Sequence, residues 1–184
     1  MKKKILIGLG AFILLVAGVL FYMISTTKKH SPNQIITYTE NGFDIEINYC
    51  RPYKKGRVIF GPTETGALQT YGQYWRLGAN EATTFTTKTD LLINGSQLPA
   101  GKYAIYAIPN QGEWAIAFNT ENSRWGATPP DEINDVIRVN IPAEETNNIS
   151  EQFTINFLSA DSALQVKFAW DNVILQLPIE QQEH

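Results

Sequence analysis

Large apolar and polar side chains alternate with a period of two through much of the chain after residue 40. In the segment 43–49, Asp44, Glu46 and Asn48 separate four large apolar or aromatic residues. The same alternation recurs in the segments 114–118, 137–141, 153–157, 164–170 and 173–177. A period of two is typical of strands with one buried face. We therefore predict an all-β fold, an antiparallel β-sandwich or a jelly-roll-like domain.

Turn residues fall between these segments. Asn94-Gly95 predicts a two-residue hairpin, and the segments 98–101 and 110–112 predict the next two turns. Asp171-Asn172 suggests a further turn near the end of the chain. The segment 103–108 is apolar on both faces, which favours a central strand.

An unbroken run of twenty apolar or small residues, Ile5 to Ile24, follows three lysines at the N-terminus. A helix of this length spans the hydrocarbon core of a bilayer. The run is longer than the apolar part of a secretory signal peptide, and it ends on large side chains where cleavage requires small ones. The sequence therefore favours a retained anchor over a cleaved signal.

Basic residues beside a membrane span stay on the cytoplasmic side. Three lysines precede the run, whereas Lys28 and Lys29 follow it. We therefore predict a single-pass protein of the cell membrane whose C-terminal domain is extracytoplasmic, either periplasmic or at the cell surface. Its predicted parts are a cytoplasmic stub (1–4), a transmembrane signal-anchor helix (5–24), a polar linker (25–34) and an extracytoplasmic β domain (35–184).

The residues that many catalytic and metal sites need are scarce in this chain. The two histidines, His30 and His184, lie beside the apolar run and at the C-terminus, which argues against a catalytic triad and a histidine-rich zinc site. The single cysteine, Cys50, lies within a strand pattern, and we interpret it as a buried apolar side chain. The sequence contains neither a glycine-rich phosphate loop nor a calcium-binding loop. We predict no metal and no cofactor.

After residue 30 the chain carries ten lysines and arginines against eighteen aspartates and glutamates, a net charge of −8. Such an acidic domain is not expected to bind nucleic acid, because that binding depends on basic contacts with phosphates. The basic run Arg51, Lys54, Lys55 and Arg57 is suited to an anionic ligand or a membrane surface. An ordinary solvated surface has the same composition.

Polar and aromatic residues also cluster where the strand pattern does not explain them. The segment 74–81 combines an aromatic ring, a guanidinium, an amide and a carboxylate, and the segment 124–126 repeats the pairing of Trp with Arg. Arg binds carboxylates and phosphates, Trp stacks on rings, and amides or carboxylates orient hydroxyl groups. The candidate ligand contacts are Arg51, Arg57, Trp75, Arg76, Asn80, Glu81, Arg124 and Trp125.

These residues suit a structural role equally, with Arg76 and Glu81 as an ion pair that holds a loop and the tryptophans in the core. The leading hypothesis is a module that binds a small polar or anionic ligand or a glycan. A structural or assembly protein of the cell envelope would instead contact a protein partner through a sheet edge or an apolar patch. A carboxylate-based hydrolase would use Glu81 with a second, unidentified acid.

Several ordered motifs occur together in the β domain: Tyr49-Cys50-Arg51-Pro52, 55–61, Tyr71-Gly72, 75–83, 98–101, Ile108-Pro109, Trp114, Phe118-Asn119 and Trp125-Gly126. In this combination the chain resembles a bacterial family, the domain of unknown function 2911. The resemblance covers most of residues 31–179. It implies export and a mostly β domain, and it implies no ligand and no catalytic residue.

Overall fold

The computed structural model describes residues 2–160 and 163–182, so His184 lies outside the described residues. The described part begins with one helix, which is followed by strands and two short 3-10 turns, Thr63–Thr65 and Glu132–Asn134. The helix and strands are α1 (Lys2–His30), β1 (Asn33–Tyr38), β2 (Ile45–Cys50), β3 (Phe60–Gly61), β4 (Gln69–Thr70), β5 (Thr83–Thr87), β6 (Leu91–Ile93), β7 (Ser96–Leu98), β8 (Gly101–Ile108), β9 (Glu113–Asn119), β10 (Asp135–Ala160) and β11 (Ala163–Gln181).

Nine of the strands are hydrogen-bonded in the order β1-β2-β5-β8-β9-β10-β11-β6-β7. Each neighbouring pair in this order is antiparallel, whereas the short strands β3 and β4 pair in parallel beside it. β8 lies between β5 and β9, as its two apolar faces predict. The predicted antiparallel β domain is confirmed, with one helix at its N-terminus.

The helix α1 includes the run for which the sequence predicts a membrane span. Within the residues that the structure describes, no helix is both long enough and apolar enough to cross a membrane.

The Asn94-Gly95 turn connects β6 and β7 as predicted. Both residues have positive φ, 47° and 79°, which a two-residue hairpin of this handedness requires. Asn tolerates the left-handed region better than most residues, and Gly enters it without steric cost. The segment 110–112 likewise connects β8 and β9.

The strand β10 is longer than its sequence pattern predicts, because it belongs to two parts of the sheet. It pairs with β9 from Asp135 to Pro142 and with β11 from Ala143 onward. The apolar segments 137–141 and 153–157 are therefore parts of one strand.

The predicted turn at Asp171-Asn172 is wrong. Both residues lie inside β11, where Asp171 has a φ of 54° and pairs with Ser150 at an irregularity in the register. A left-handed residue is compatible with a bulge as well as with a turn, and here it lies within a continuous strand.

Side chains from both parts of the sheet share one core, as in a sandwich. Trp75 contacts both Trp170 and Trp114, with ring centroids 5.7 Å and 6.0 Å apart, respectively. Phe60 lies 4.7 Å from Trp114 between centroids. Trp170, a member of this aromatic cluster, also lines the cavity described next.

Candidate functional site

A cavity of about 460 Å³ opens where the end of α1, the segment 52–57, the loop 76–80 and Trp125 meet. Its size is in the range of small-molecule sites in proteins, roughly 300–1,000 Å³. Trp170, from the aromatic cluster, also lines it. The cavity therefore joins the predicted segment 74–81 to the basic run and to the Trp125 segment.

The charged side chains among the described lining residues of the cavity are all cationic. Lys55, Arg57 and Arg76 line the cavity, and none of its described lining residues is an aspartate or a glutamate. A concave surface that is lined by cations and by no carboxylate concentrates a positive potential. Such a wall favours an anion although the domain as a whole is acidic.

Buried residues in and beside the loop 76–80 hold its conformation. The Trp75 indole Nε1 donates a hydrogen bond to the Gly78 carbonyl at 3.2 Å, and Leu77 is fully buried with a φ of 48°. Gly78 has a φ of 153°, and a Cβ atom at this position would lie 2.8 Å from the Cys50 carbonyl oxygen. Glycine is therefore required where the loop crosses the end of β2.

Arg76 carries the least hydrated of the three positive charges. Its Nη1 donates a hydrogen bond to the Asn80 carbonyl at 3.0 Å. Burial lowers the pKa of Arg76, and smaller effects of Tyr74 and Cys50 oppose this shift. A partly desolvated guanidinium stays charged and binds carboxylates or phosphates in a defined geometry.

Two buried donors at the cavity have no hydrogen-bond partner among the described residues. They are the side-chain nitrogen Nδ2 of Asn80 and the indole nitrogen Nε1 of Trp170. Asn80 is 6% exposed and Trp170 is 2% exposed, and both residues line the cavity. Leaving a buried donor unpaired costs about 1–3 kcal/mol, so native proteins rarely do so without a bound water or ligand.

Lys55 and Arg57 lie at the exposed side of the cavity. Arg57 donates through Nε to the Lys54 carbonyl at 2.9 Å and through Nη2 to the Tyr53 carbonyl. The Lys55 Nζ lies 3.1 Å from Nδ1 of His30, at the end of α1. These contacts hold both cations beside the cavity.

A family model described as "Protein of unknown function (DUF2911)" matches residues 31–179. The chain belongs to this family. The match includes every described residue that lines the cavity except His30, and the resemblance drawn from the motifs is confirmed. No curated protein and no solved structure matches the chain significantly.

In this DUF2911 domain, four of the eight candidate contacts line the cavity: Arg57, Arg76, Asn80 and Trp125. Trp75 is 3% exposed and belongs to the aromatic cluster. Sequence reasoning missed Lys55 and Trp170 as site residues. Lys55 belongs to the predicted basic run, whereas the position of Trp170 on an apolar strand face indicates only burial.

Two of the candidate arginines bind other parts of the protein. Arg51 donates through Nε to the Phe153 carbonyl at 3.2 Å and through Nη2 to Thr154 Oγ1 at 2.9 Å. Arg124 donates to Glu121 Oε2 at 3.1 Å and to the carbonyls of Thr128 and Pro129, each at 2.9 Å. Arg51 thus ties the end of β2 to β10, and Arg124 closes the loop that presents Trp125.

Glu81 lines a second cavity of about 210 Å³ together with Cys50 and Asn33. The Cys50 thiol donates to Glu81 Oε2 at 3.6 Å. Glu81 is the one carboxylate among the described residues that line this second cavity. Glycoside hydrolysis generally requires a pair of carboxyl groups on either side of the scissile bond, so this wall does not supply the second acid that the hydrolase hypothesis needs.

Proposed function

We propose that this DUF2911 domain binds a small anionic ligand in the cavity lined by Arg76, Asn80 and Trp170. One observation carries the proposal. Three cationic residues line the cavity, two further lining residues carry buried donors that have no partner among the described residues, and no described lining residue is a carboxylate.

An anion supplies what these groups lack. Each oxygen of a carboxylate, sulfate or phosphate group accepts more than one hydrogen bond, and its charge is stabilised by Arg76, Arg57 and Lys55. Binding would also pair donors that are otherwise buried without an acceptor. These groups would therefore stabilise a bound anion and would not stabilise a bound cation.

The proposal includes an extracytoplasmic location for the domain, which the basic and apolar N-terminal segment favours. A phosphatase that is active only outside the cytoplasm, fused after residue 184, would be active in cells if this location is right. An inactive phosphatase fusion with an active cytoplasmic reporter at the same position would contradict it.

Calorimetric titration of the purified full-length protein with phosphate, sulfate and citrate tests the binding itself. We expect at least one of these anions to bind, and we expect Arg76→Met to weaken that binding at least tenfold. Lys102→Met is the matched control, because it removes one positive charge from an exposed position outside the cavity. Absence of binding by all three anions, or equal losses in both variants, would contradict the proposal.

A further inference from the structure

We infer that the ligand of this cavity is an anionic sugar, whose phosphate, sulfate or carboxylate group binds at the loop 76–80 and whose ring stacks on Trp125. The inference rests on the proposed function, because it assigns a chemical class to the anion. Three parts of the cavity carry it: an anion-binding loop, an exposed aromatic ring fixed beside that loop, and an uncharged polar wall.

The anion-binding part is the loop 76–80. None of the backbone hydrogen bonds of the described loops is donated by Gly78, Ala79 or Asn80, and all three residues line the cavity. Gly78 and Asn80 have positive φ, 153° and 61°. Successive backbone N–H groups in mixed left- and right-handed conformations form concave anion sites. Arg76 and the side-chain amide of Asn80 add a charge and a further donor to this loop.

The ring-binding part is Trp125. Of the four tryptophans, all within the described residues, three are at most 3% exposed, whereas Trp125 is 49% exposed. An indole that lies at a cavity and is half-exposed offers an aromatic face to a ligand ring. The three buried tryptophans are explained by the core, and Trp125 is not.

The ring and the anion-binding loop are held at a fixed separation. Trp125 and Glu81 form an antiparallel bridge, in which the Gly126 N–H donates to the Asn80 carbonyl at 3.0 Å and the Ala82 N–H donates to the Arg124 carbonyl at 3.2 Å. The residues on either side of Trp125 are thus hydrogen-bonded to Asn80, in the loop that presents the donors, and to Ala82 just after it. A ligand with an anionic group close to a ring fits such an arrangement without a rearrangement of the backbone.

The remaining wall favours a sugar over an aromatic ring. Ser31, Tyr53 and Gln69 line the cavity and carry uncharged groups that donate and accept hydrogen bonds. Sugar hydroxyl groups use both abilities, whereas the edge of an aromatic hydrocarbon uses neither. A sugar ring also presents C–H groups to the indole face and hydroxyl groups to its surroundings.

Calorimetric titration of the full-length protein tests this inference with ligands that carry an anionic group, a ring, or both. The probes are inorganic phosphate, glucose, glucose 6-phosphate, glucosamine 6-phosphate, glucuronate and phenyl phosphate. We expect at least one anionic sugar to bind at least tenfold more tightly than inorganic phosphate and than phenyl phosphate. Free glucose should bind more weakly than either anion. A preference for the sugar phosphates or for glucuronate identifies the anionic group.

Two substitutions test the roles of the Trp125 ring and of the loop 76–80 separately. Trp125→Ala should reduce the affinity for the tightest anionic sugar at least tenfold, toward that for inorganic phosphate. Asn80→Asp keeps a side chain that tolerates positive φ and should abolish the binding of both. Ile133→Ala is the control for Trp125→Ala, because Ile133 is apolar, 84% exposed and outside the cavity. Circular dichroism of each variant checks its fold.

The outcomes separate this inference from the proposed function. If phosphate binds but every anionic sugar binds no more tightly, or if Trp125→Ala has no effect, the assignment to a sugar is overturned and the anion site stands. If phenyl phosphate binds as tightly as the best anionic sugar, the assignment is also overturned, in favour of an aromatic anion. If none of these anions binds, the assignment to a sugar is overturned, and if sulfate and citrate also fail to bind, the proposed function is overturned with it.

Discussion

Gly126 packs so closely against Arg76 that a Cβ atom added to the glycine would lie 2.7 Å from Cδ of the arginine. Two segments that each pair Trp with Arg in the sequence, 74–81 and 124–126, are thus in direct contact. The contact determines where the aliphatic part of Arg76 lies, and with it the position of the guanidinium at the cavity. Gly126 therefore positions a proposed ligand contact without touching the ligand.

Gly126→Ala should displace Arg76 and weaken anion binding. Overpacking of this kind costs about 1–3 kcal/mol in stability, because neighbouring side chains must shift. We expect a severalfold loss of affinity for the tightest anion in calorimetry. In an Arg76→Ala background the same substitution should cost less stability, since the 2.7 Å contact is gone. Equal costs in both backgrounds would show that the two residues are not coupled.

The sequence predicts several strands because each has one buried face. β2 follows this rule from Ile45 to Tyr49, and Asn94-Gly95 supplies a turn that few other dipeptides form as well. The continuity of β11 was not predictable in this way. Asp171 has the same left-handed preference in a turn and in a bulge, and only its pairing with Ser150 in β10 distinguishes the two.

The candidate site was predictable only in part, for a related reason. Arg51 and Arg76 are both arginines next to aromatic or loop residues, and the sequence does not distinguish them. The acceptor of Arg51 is the Phe153 carbonyl, about a hundred residues away in the chain, whereas Arg76 faces the cavity. Trp170 is 2% exposed, as its strand pattern predicts, but alternation does not show that a cavity reaches its indole.

Arg51→Met should destabilise the domain and leave anion binding unchanged. It removes two hydrogen bonds that join β2 to β10, and one of the acceptors is the backbone carbonyl of Phe153. Hydrogen bonds from charged groups contribute about 1.5–3 kcal/mol each, so we expect a loss of at least that size in urea denaturation. A variant of normal stability that no longer binds the anion would instead place Arg51 in the site.

Lys54→Met should be more destabilising than the removal of an exposed lysine. Lys54 pairs with Asp171, and their side chains are only 23% and 11% exposed. Removing one partner of a buried pair leaves an uncompensated charge and costs about 3 kcal/mol. Urea denaturation measures this loss.

Two further variants serve as controls for that loss. In Lys88→Met the broken pair is Lys88 with Asp44, whose side chains are 75% and 40% exposed, and we expect little change in the free energy of unfolding. Asp171→Asn combined with Lys54→Met should recover part of the stability, because Asn keeps the tolerance for positive φ and carries no charge. Equal losses for Lys54→Met and Lys88→Met would show that burial does not matter here.

Tyr106 should make the domain sensitive to alkaline pH. Burial raises the pKa of its phenol, and Asp135 raises that pKa further against the opposing effect of Arg138. The Tyr106 hydroxyl donates to Asp135 Oδ2 at 2.7 Å and accepts from Arg138 Nη2 at 2.8 Å. The folded state therefore holds this proton more tightly than the unfolded chain, in which a tyrosine titrates near pH 10.

The sign of the pH dependence follows from that difference. Below about pH 10, Tyr106 is protonated in both the folded and the unfolded state, and its contribution to stability is fully present. Above this pH the unfolded state releases its proton first, and the contribution is lost. Tyr106→Phe should be less stable at pH 7, because two hydrogen bonds are gone, but its stability should fall less steeply between about pH 9.5 and 11.5. Burial also raises the pKa of Tyr49, Tyr74 and Tyr103, so some slope should persist. Urea denaturation at several pH values compares the two slopes, and parallel slopes would mean that the Tyr106 proton is not held more tightly in the folded state.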